Sequence, residues 1–77
     1  MAVGFVMITT VPGEEVNVRE AVSKLDFVSG IWIVFGSHDC FVKVEADDEA
    51  DLTKAIVHGI RSVSGIIDTR TLIGAEI

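Results

Sequence analysis

The tetrapeptide Val-Ser-Gly-Ile occurs twice, as Val28-Ser29-Gly30-Ile31 and as Val63-Ser64-Gly65-Ile66. Each copy follows a stretch of helical period and opens one of strand period, so the chain reads as two halves of the same plan. In the first half, Ala2 to Val11 is apolar at both alternating sets, with Val3, Phe5 and Met7 on one side and Val6 and Ile8 on the other. A strand apolar on both sides is one covered on both sides. Pro12-Gly13, carrying the only proline, stops it. Val18, Ala21, Val22 and Leu25 then fall at i, i+3, i+4 and i+7, which predicts an amphipathic helix over Glu14 to Leu25. Glu14 and Glu15 stand in its first turn and Lys24 in its last, as the helix dipole favours.

The second half repeats the order. Gly30 to Phe35 and Cys40 to Ala46 are expected as strands joined by a tight polar turn, Gly36-Ser37-His38-Asp39. In the latter strand Cys40, Val42, Val44 and Ala46 alternate with Phe41, Lys43 and Glu45, which sends the two sets to opposite faces. Leu52, Ala55, Ile56, Gly59, Ile60 and Val63 recur at helical spacing. The acidic run from Asp47 to Asp51 therefore sits at a helix N-terminus, with Asp47 or Asp48 as N-cap, and no bound cation is needed to explain it. Asp51, Lys54, His58 and Arg61 line that helix's polar face, so His58 is expected to be a solvated histidine. Ile66 to Ile73 is the final strand, with Ile67, Thr69, Thr71 and Ile73 on one face.

The resulting βαββαβ order is the α+β ferredoxin-like plait: one domain over residues 1–77, a four-stranded antiparallel sheet and two helices on one face. Trp32, Val34 and Phe41 cannot all lie under helices, so the other face is expected to be apolar as well. A bare apolar sheet face is best buried against a copy of itself. Composition agrees, since 49% of residues are hydrophobic and only 23% charged in a chain of 77. So small a domain cannot hide that much apolar surface alone, and exposed patches of this kind mark interfaces. We expect an obligate oligomer, a dimeric α/β barrel at the least.

Charge and cysteine content exclude several functions. Six Lys and Arg against twelve Asp and Glu leave a formal charge of −6, the wrong sign for independent nucleic-acid binding. Cys40 is the only cysteine, so there is no disulfide framework and no metal or redox pair. Within an alternating strand it is expected to be a small buried hydrophobe. No apolar run is long enough to cross a bilayer. Ala2 to Val11 lacks the basic start and cleavage site of a signal peptide, so the cytoplasm is the expected compartment. No cofactor is expected.

Gly36, Ser37, His38 and Asp39 form the only cluster of glycine, hydroxyl, imidazole and carboxylate beside two hydrophobic runs. An ordinary hairpin turn contains the same residue types, and spacing alone leaves both readings open. Thr69 and Thr71 suit a pleated strand for their own sake. The G-x-x-D of this turn, the V-x-G-I pieces after each helix and Asp68-Thr69-Arg70-Thr71 in the final strand carry a resemblance over essentially the whole chain. Together, in this order, they resemble the effector (RAM) domain of the leucine-responsive and asparagine-synthesis (Lrp/AsnC) transcription regulators.

The resemblance implies an amino-acid-binding, non-enzymatic domain that dimerises through its sheet and assembles further, commonly as four dimers in an octamer. It implies an effector site between dimers at Gly36, Ser37, His38 and Asp39, with Asp39 meeting an α-ammonium group and turn amides receiving the carboxylate. Thr69 and Thr71, at the family's T-x-T stretch, would add hydroxyls. In that family a helix-turn-helix domain precedes this unit, whereas the present sequence starts at the first strand. The expectation is a stand-alone module that acts on full-length regulators without touching DNA or membrane. Two other readings use the same plait: a small dimeric α/β-barrel enzyme of the cofactor-free monooxygenase or isomerase type, and a purely structural oligomerisation module. For the enzyme, His38 and His58 are the only imidazoles and neither has a base placed beside it by the sequence.

Overall fold

A computed structural model describes residues 2–73. The elements follow the expected order: β1 (Ala2–Thr10), α1 (Glu15–Ser23), β2 (Val28–Ile33), β3 (Cys40–Ala46), α2 (Glu49–His58), a 3₁₀ turn (Ile60–Ser62) and β4 (Ile66–Ile73). The strands form one antiparallel sheet in the order β2-β3-β1-β4. This is the βαββαβ ferredoxin-like plait. Residues 74–77 lie outside the described residues.

The core fills the space between the sheet and the helices. Val6 and Ile8 of β1 stand beside Val42 and Cys40 of β3, and all four are fully buried under Val18 and Val22 of α1 and Leu52, Ile56 and Ile60 of the second helical segment. The alternation seen in the sequence of β3 is therefore the alternation between core and opposite face. Asp48 caps α2, its carboxylate accepting from the Asp51 backbone N–H at 2.8 Å. The acidic run is a helix start, and among the described residues no group of three or more His, Cys, Asp and Glu is arranged to hold a metal ion. Cys40 is buried and free. Burial, with the Asp39 and Glu15 carboxylates nearby, pushes its thiol above the ordinary range while Arg19 opposes the shift. The neutral thiol is thus favoured, as suits a core residue rather than a nucleophile.

Three local expectations are corrected. Strand β2 begins at Val28 and ends at Ile33, so Val34 to Asp39 is a six-residue loop instead of a tight turn, closed by Val34 N–H donating to the Asp39 carbonyl at 2.9 Å. Helix α2 stops at His58 and gives way to the 3₁₀ turn; at Gly59 the ring of Phe27 packs so closely that a Cβ there would lie 2.6 Å from Phe27 Cζ. Finally, a bulge at Thr9/Thr10 pairs Thr10 with Ile66. Ile66 consequently packs on the core, and Ile67, expected to share a face with Thr69, Thr71 and Ile73, is 61% exposed.

The two glycines of the repeated tetrapeptide serve different ends. Gly65 takes φ +96° in the turn before β4, a backbone conformation that only glycine adopts readily. Gly30 lies within β2 directly beneath the Trp32 indole, where a Cβ would come within 2.7 Å of the ring. That indole belongs to the face opposite the helices, which no element among the described residues covers. Register places Phe5 and Met7 of β1, Phe41 of β3, Trp32 of β2 and Leu72 of β4 on it. Phe5 stacks on Phe41 at 5.3 Å between centroids, and Trp32 tilts against Phe41 at 6.2 Å. The result is a continuous aromatic surface, with Trp32 and Leu72 each 53% exposed.

Candidate functional site

The candidate residues fall into two groups, on either side of β1. The first is the β2–β3 loop. Gly36, at φ +131°, and Ser37 are exposed, and Ser37 Oγ lies 2.9 Å from His38 Nδ1. Asp39 is held in place: its backbone N–H donates to the Ile8 carbonyl at 2.8 Å, and its carboxylate reaches across to Thr10. There Oδ2 accepts from the Thr10 backbone N–H at 2.8 Å and from the Thr10 hydroxyl at 3.3 Å. Thr10 is only 2% exposed, so this carboxylate satisfies a buried backbone donor where β1 leaves the sheet. The family resemblance implies ligand capture for Asp39; the geometry adds a structural task that requires β1 as neighbour.

The second group is the helix-facing side of β4. Thr69 stands opposite Ile8 and Thr71 opposite Val6, both half-buried. Loop and threonines are two strand spacings apart, roughly 10 Å, with the buried side chain of Ile8 between them. That is wider than the separation of the ammonium and carboxylate groups of an amino acid. Within one chain the two groups are not brought together.

At β4 the threonines line a recess. Helix α2 lies over β1 and β3, which leaves the flank of β4 open. A cleft of about 240 Å³ between α2 and β4 is lined by Thr53, Ile56, Val57, Arg61, Thr71 and Ile73. A shallower groove of about 310 Å³ continues along the strand past Arg61 to Ile66, Ile67, Asp68 and Thr69. The hydroxyl oxygen of Thr71 is buried and has no hydrogen-bond partner among the described residues. An unpaired buried hydroxyl costs about 1–3 kcal/mol, and native structures seldom leave one without reason. Arg61, Ile56 and Val57 were not anticipated as site residues. Only their meeting with β4 reveals them, since in sequence they read as one polar and two apolar positions of a helix.

Comparison with known proteins identifies the architecture. The model of the Lrp/AsnC ligand-binding domain matches residues 3–76. An uncharacterized HTH-type transcriptional regulator of Pyrococcus abyssi is 34% identical over 71 residues, which cover 92% of this chain and 45% of that protein. The chain thus spans about half the length of the curated relatives it matches. Among solved structures, a hypothetical protein of Pyrococcus horikoshii superposes with a TM-score of 0.92 at 32% identity, covering 100% of this chain and 93% of the other. A transcriptional regulator of Neisseria meningitidis, solved as its L-Met complex, superposes with a TM-score of 0.80. At 15% identity, covering 97% of this chain and 50% of the other, that likeness is one of fold. The plait, its uncovered apolar face and the match over nearly all of the sequence place the chain in the Lrp/AsnC ligand-binding-domain family.

Proposed function

We propose that this protein is an amino-acid-effector-binding and oligomerisation module. In this reading it modulates transcription regulators of amino-acid metabolism through the shared domain, without catalysis and without binding DNA itself. The observation that carries the reading is the α2–β4 cleft with its unpaired Thr71 hydroxyl, in a domain whose family is defined by ligand binding. The net charge of −6 supports the absence of direct DNA contact.

The effector site in this proposal is Gly36, Ser37, His38 and Asp39 of one copy with Thr69 and Thr71 of another. Their separation within a chain means that one copy alone holds only half of it. Asp39 retains one carboxylate oxygen, Oδ1, outside its bonds to Thr10, and this is the acceptor for the ligand's α-ammonium group. Copies pair first through the aromatic sheet face. A stable interface needs about 800 Å² per partner, roughly one-sixth of the 4848 Å² that the subunit exposes. Pairs of this kind then assemble into the octamer that brings loops to clefts.

A thermal-shift panel of the proteinogenic amino acids tests the reading. A ligand at about a hundred times its dissociation constant stabilises by about 2.7 kcal/mol if it binds only the folded state. One or a few amino acids should raise the melting temperature in a dose-dependent way. A flat panel would favour a purely structural module.

A further inference from the structure

Among the described residues the most exposed large apolar side chain is Phe35, in the β2–β3 loop, and neither the core nor the effector site accounts for it. We propose that Phe35 is a plug whose ring seats in the α2–β4 cleft of a second copy, against Ile56, Val57 and Ile73. This rests on the reading above that assembly brings loops to clefts, and it names the side chain and the socket that make the contact.

The plug is built to project. Phe35 is 100% exposed. Beside it, Gly36 takes φ +131° and has no atom within 4 Å of where a Cβ would stand, so the tip of the loop lies in open space. The base of the loop is fixed. Val34 N–H donates to the Asp39 carbonyl, Asp39 N–H donates to the Ile8 carbonyl, and the Asp39 carboxylate holds Thr10. A side chain presented on a loop already ordered loses little further freedom on binding. A single exposed apolar residue is ordinary, but here a whole phenyl ring is held in water on an anchored loop. Burying such a ring removes roughly 150–250 Å² from solvent.

The socket has the size and lining for one such ring. At about 240 Å³ the cleft falls below the roughly 300 Å³ where pockets for drug-sized ligands begin. Val57 and Ile73 remain 42% and 43% exposed there, with Ile56 buried behind them. Ring and wall leave water together when they meet. The loop cannot reach the cleft of its own chain. In the order β2-β3-β1-β4, three strand spacings, roughly 14 Å, separate β2 from β4, and α2 lies over the strands between them. The occupant is therefore a second copy.

Charge favours the same pairing. Arg61 is the only charged residue lining the cleft, whereas the loop carries the Asp39 carboxylate and no Lys or Arg. Loop against cleft sets opposite charges at one rim, and a guanidinium beside the ring adds a cation–π contact. Cleft against cleft would oppose two Arg61 side chains. Plug and socket are different patches, so the contact is heterologous and continues from copy to copy until a ring closes. Pairing through the sheet face is isologous and stops at two chains. The ring of Phe35 takes the apolar wall and leaves the groove past Arg61 and Thr69 to the effector.

Sedimentation velocity of the full chain over a range of concentrations, without amino acid, tests the proposal. The wild type should form species larger than two chains. Phe35→Ala removes the plug and Val57→Trp fills the socket, both at exposed positions. Each variant should keep the wild-type circular dichroism and raise at least tenfold the concentration at which the larger species form. An equal mixture of the two variants should restore part of those species, because the plug of one meets the open cleft of the other. A wild type that stops at two chains, or either variant assembling as the wild type does, would overturn the proposal. A mixture no larger than its components would overturn the pairing of Phe35 with this cleft. The amino-acid panel reports on the effector separately. A flat panel with the sedimentation pattern as expected would remove the effector reading and leave the plug standing.

Discussion

Replacing Trp32 with glutamate is expected to leave the subunit folded and to abolish the larger assemblies. In the isolated subunit Trp32 is half exposed on β2, an edge strand, and its contacts are with Phe41 and the backbone of Gly30. No core side chain depends on it, because the core lies on the other side of the sheet. When two such faces meet by a two-fold axis, every substitution appears twice in the interface. Two carboxylates would then enter an interface of aromatic rings, at an effective penalty of several kcal/mol for each ion left unpaired there. Sedimentation should therefore move from multiples of the subunit to a species near the 8.3 kDa of the single chain. Circular dichroism should retain the mixed α and β signal. An unchanged sedimentation profile would mean that assembly uses another surface.

The second large effect concerns Asp39, where two functions can be separated by the choice of substitution. Asp39→Ala removes the acceptor of the buried Thr10 N–H. An orphaned buried donor costs about 1–3 kcal/mol, toward the upper end when the lost acceptor was charged, so this variant should be clearly less stable. It should also fail to bind the effector. Asp39→Asn keeps an oxygen acceptor for Thr10 but has no charge for an α-ammonium group. It should melt close to the wild type and still lose most of the affinity for an amino acid. If Asp39→Asn binds as tightly as the wild type, Asp39 serves the fold alone and the loop is not the ammonium site.

These two residues also mark how far the sequence can be read unaided. The period-two pattern of Cys40, Val42 and Val44 and the helical stripes of Val18 with Val22 and Leu52 with Ile56 each map onto the core, because burial imposes those periods locally. The surplus of apolar residues at Phe5, Met7, Trp32 and Phe41 likewise announced a second face with nothing on it. Asp48 was legible as a cap, since its partner lies three residues away.

Features that depend on a neighbouring strand were not legible. The bulge that brings Ile66 onto the core and lifts Ile67 off it is set by the register against Thr9 and Thr10. The close approach of Phe27 to Gly59, which requires glycine there, joins residues more than thirty positions apart in the chain. At the candidate site, residue types in the loop pointed to Asp39 but gave no hint of Thr10. Thr69 and Thr71 were found through a motif. Their setting beside Arg61 and Val57 arises only across the cleft that the fold leaves between α2 and β4, a long-range arrangement that no local pattern encodes.

The most direct test of the proposed function is residue-level. Amide chemical shifts of the isotope-labelled protein would be followed by NMR while it is titrated with the amino acid that stabilises it most. The account predicts saturable changes in two separate groups of amides, Gly36 to Asp39 and Thr69 to Thr71, moving together with one dissociation constant. Changes confined to other elements, or none with any amino acid, would contradict it.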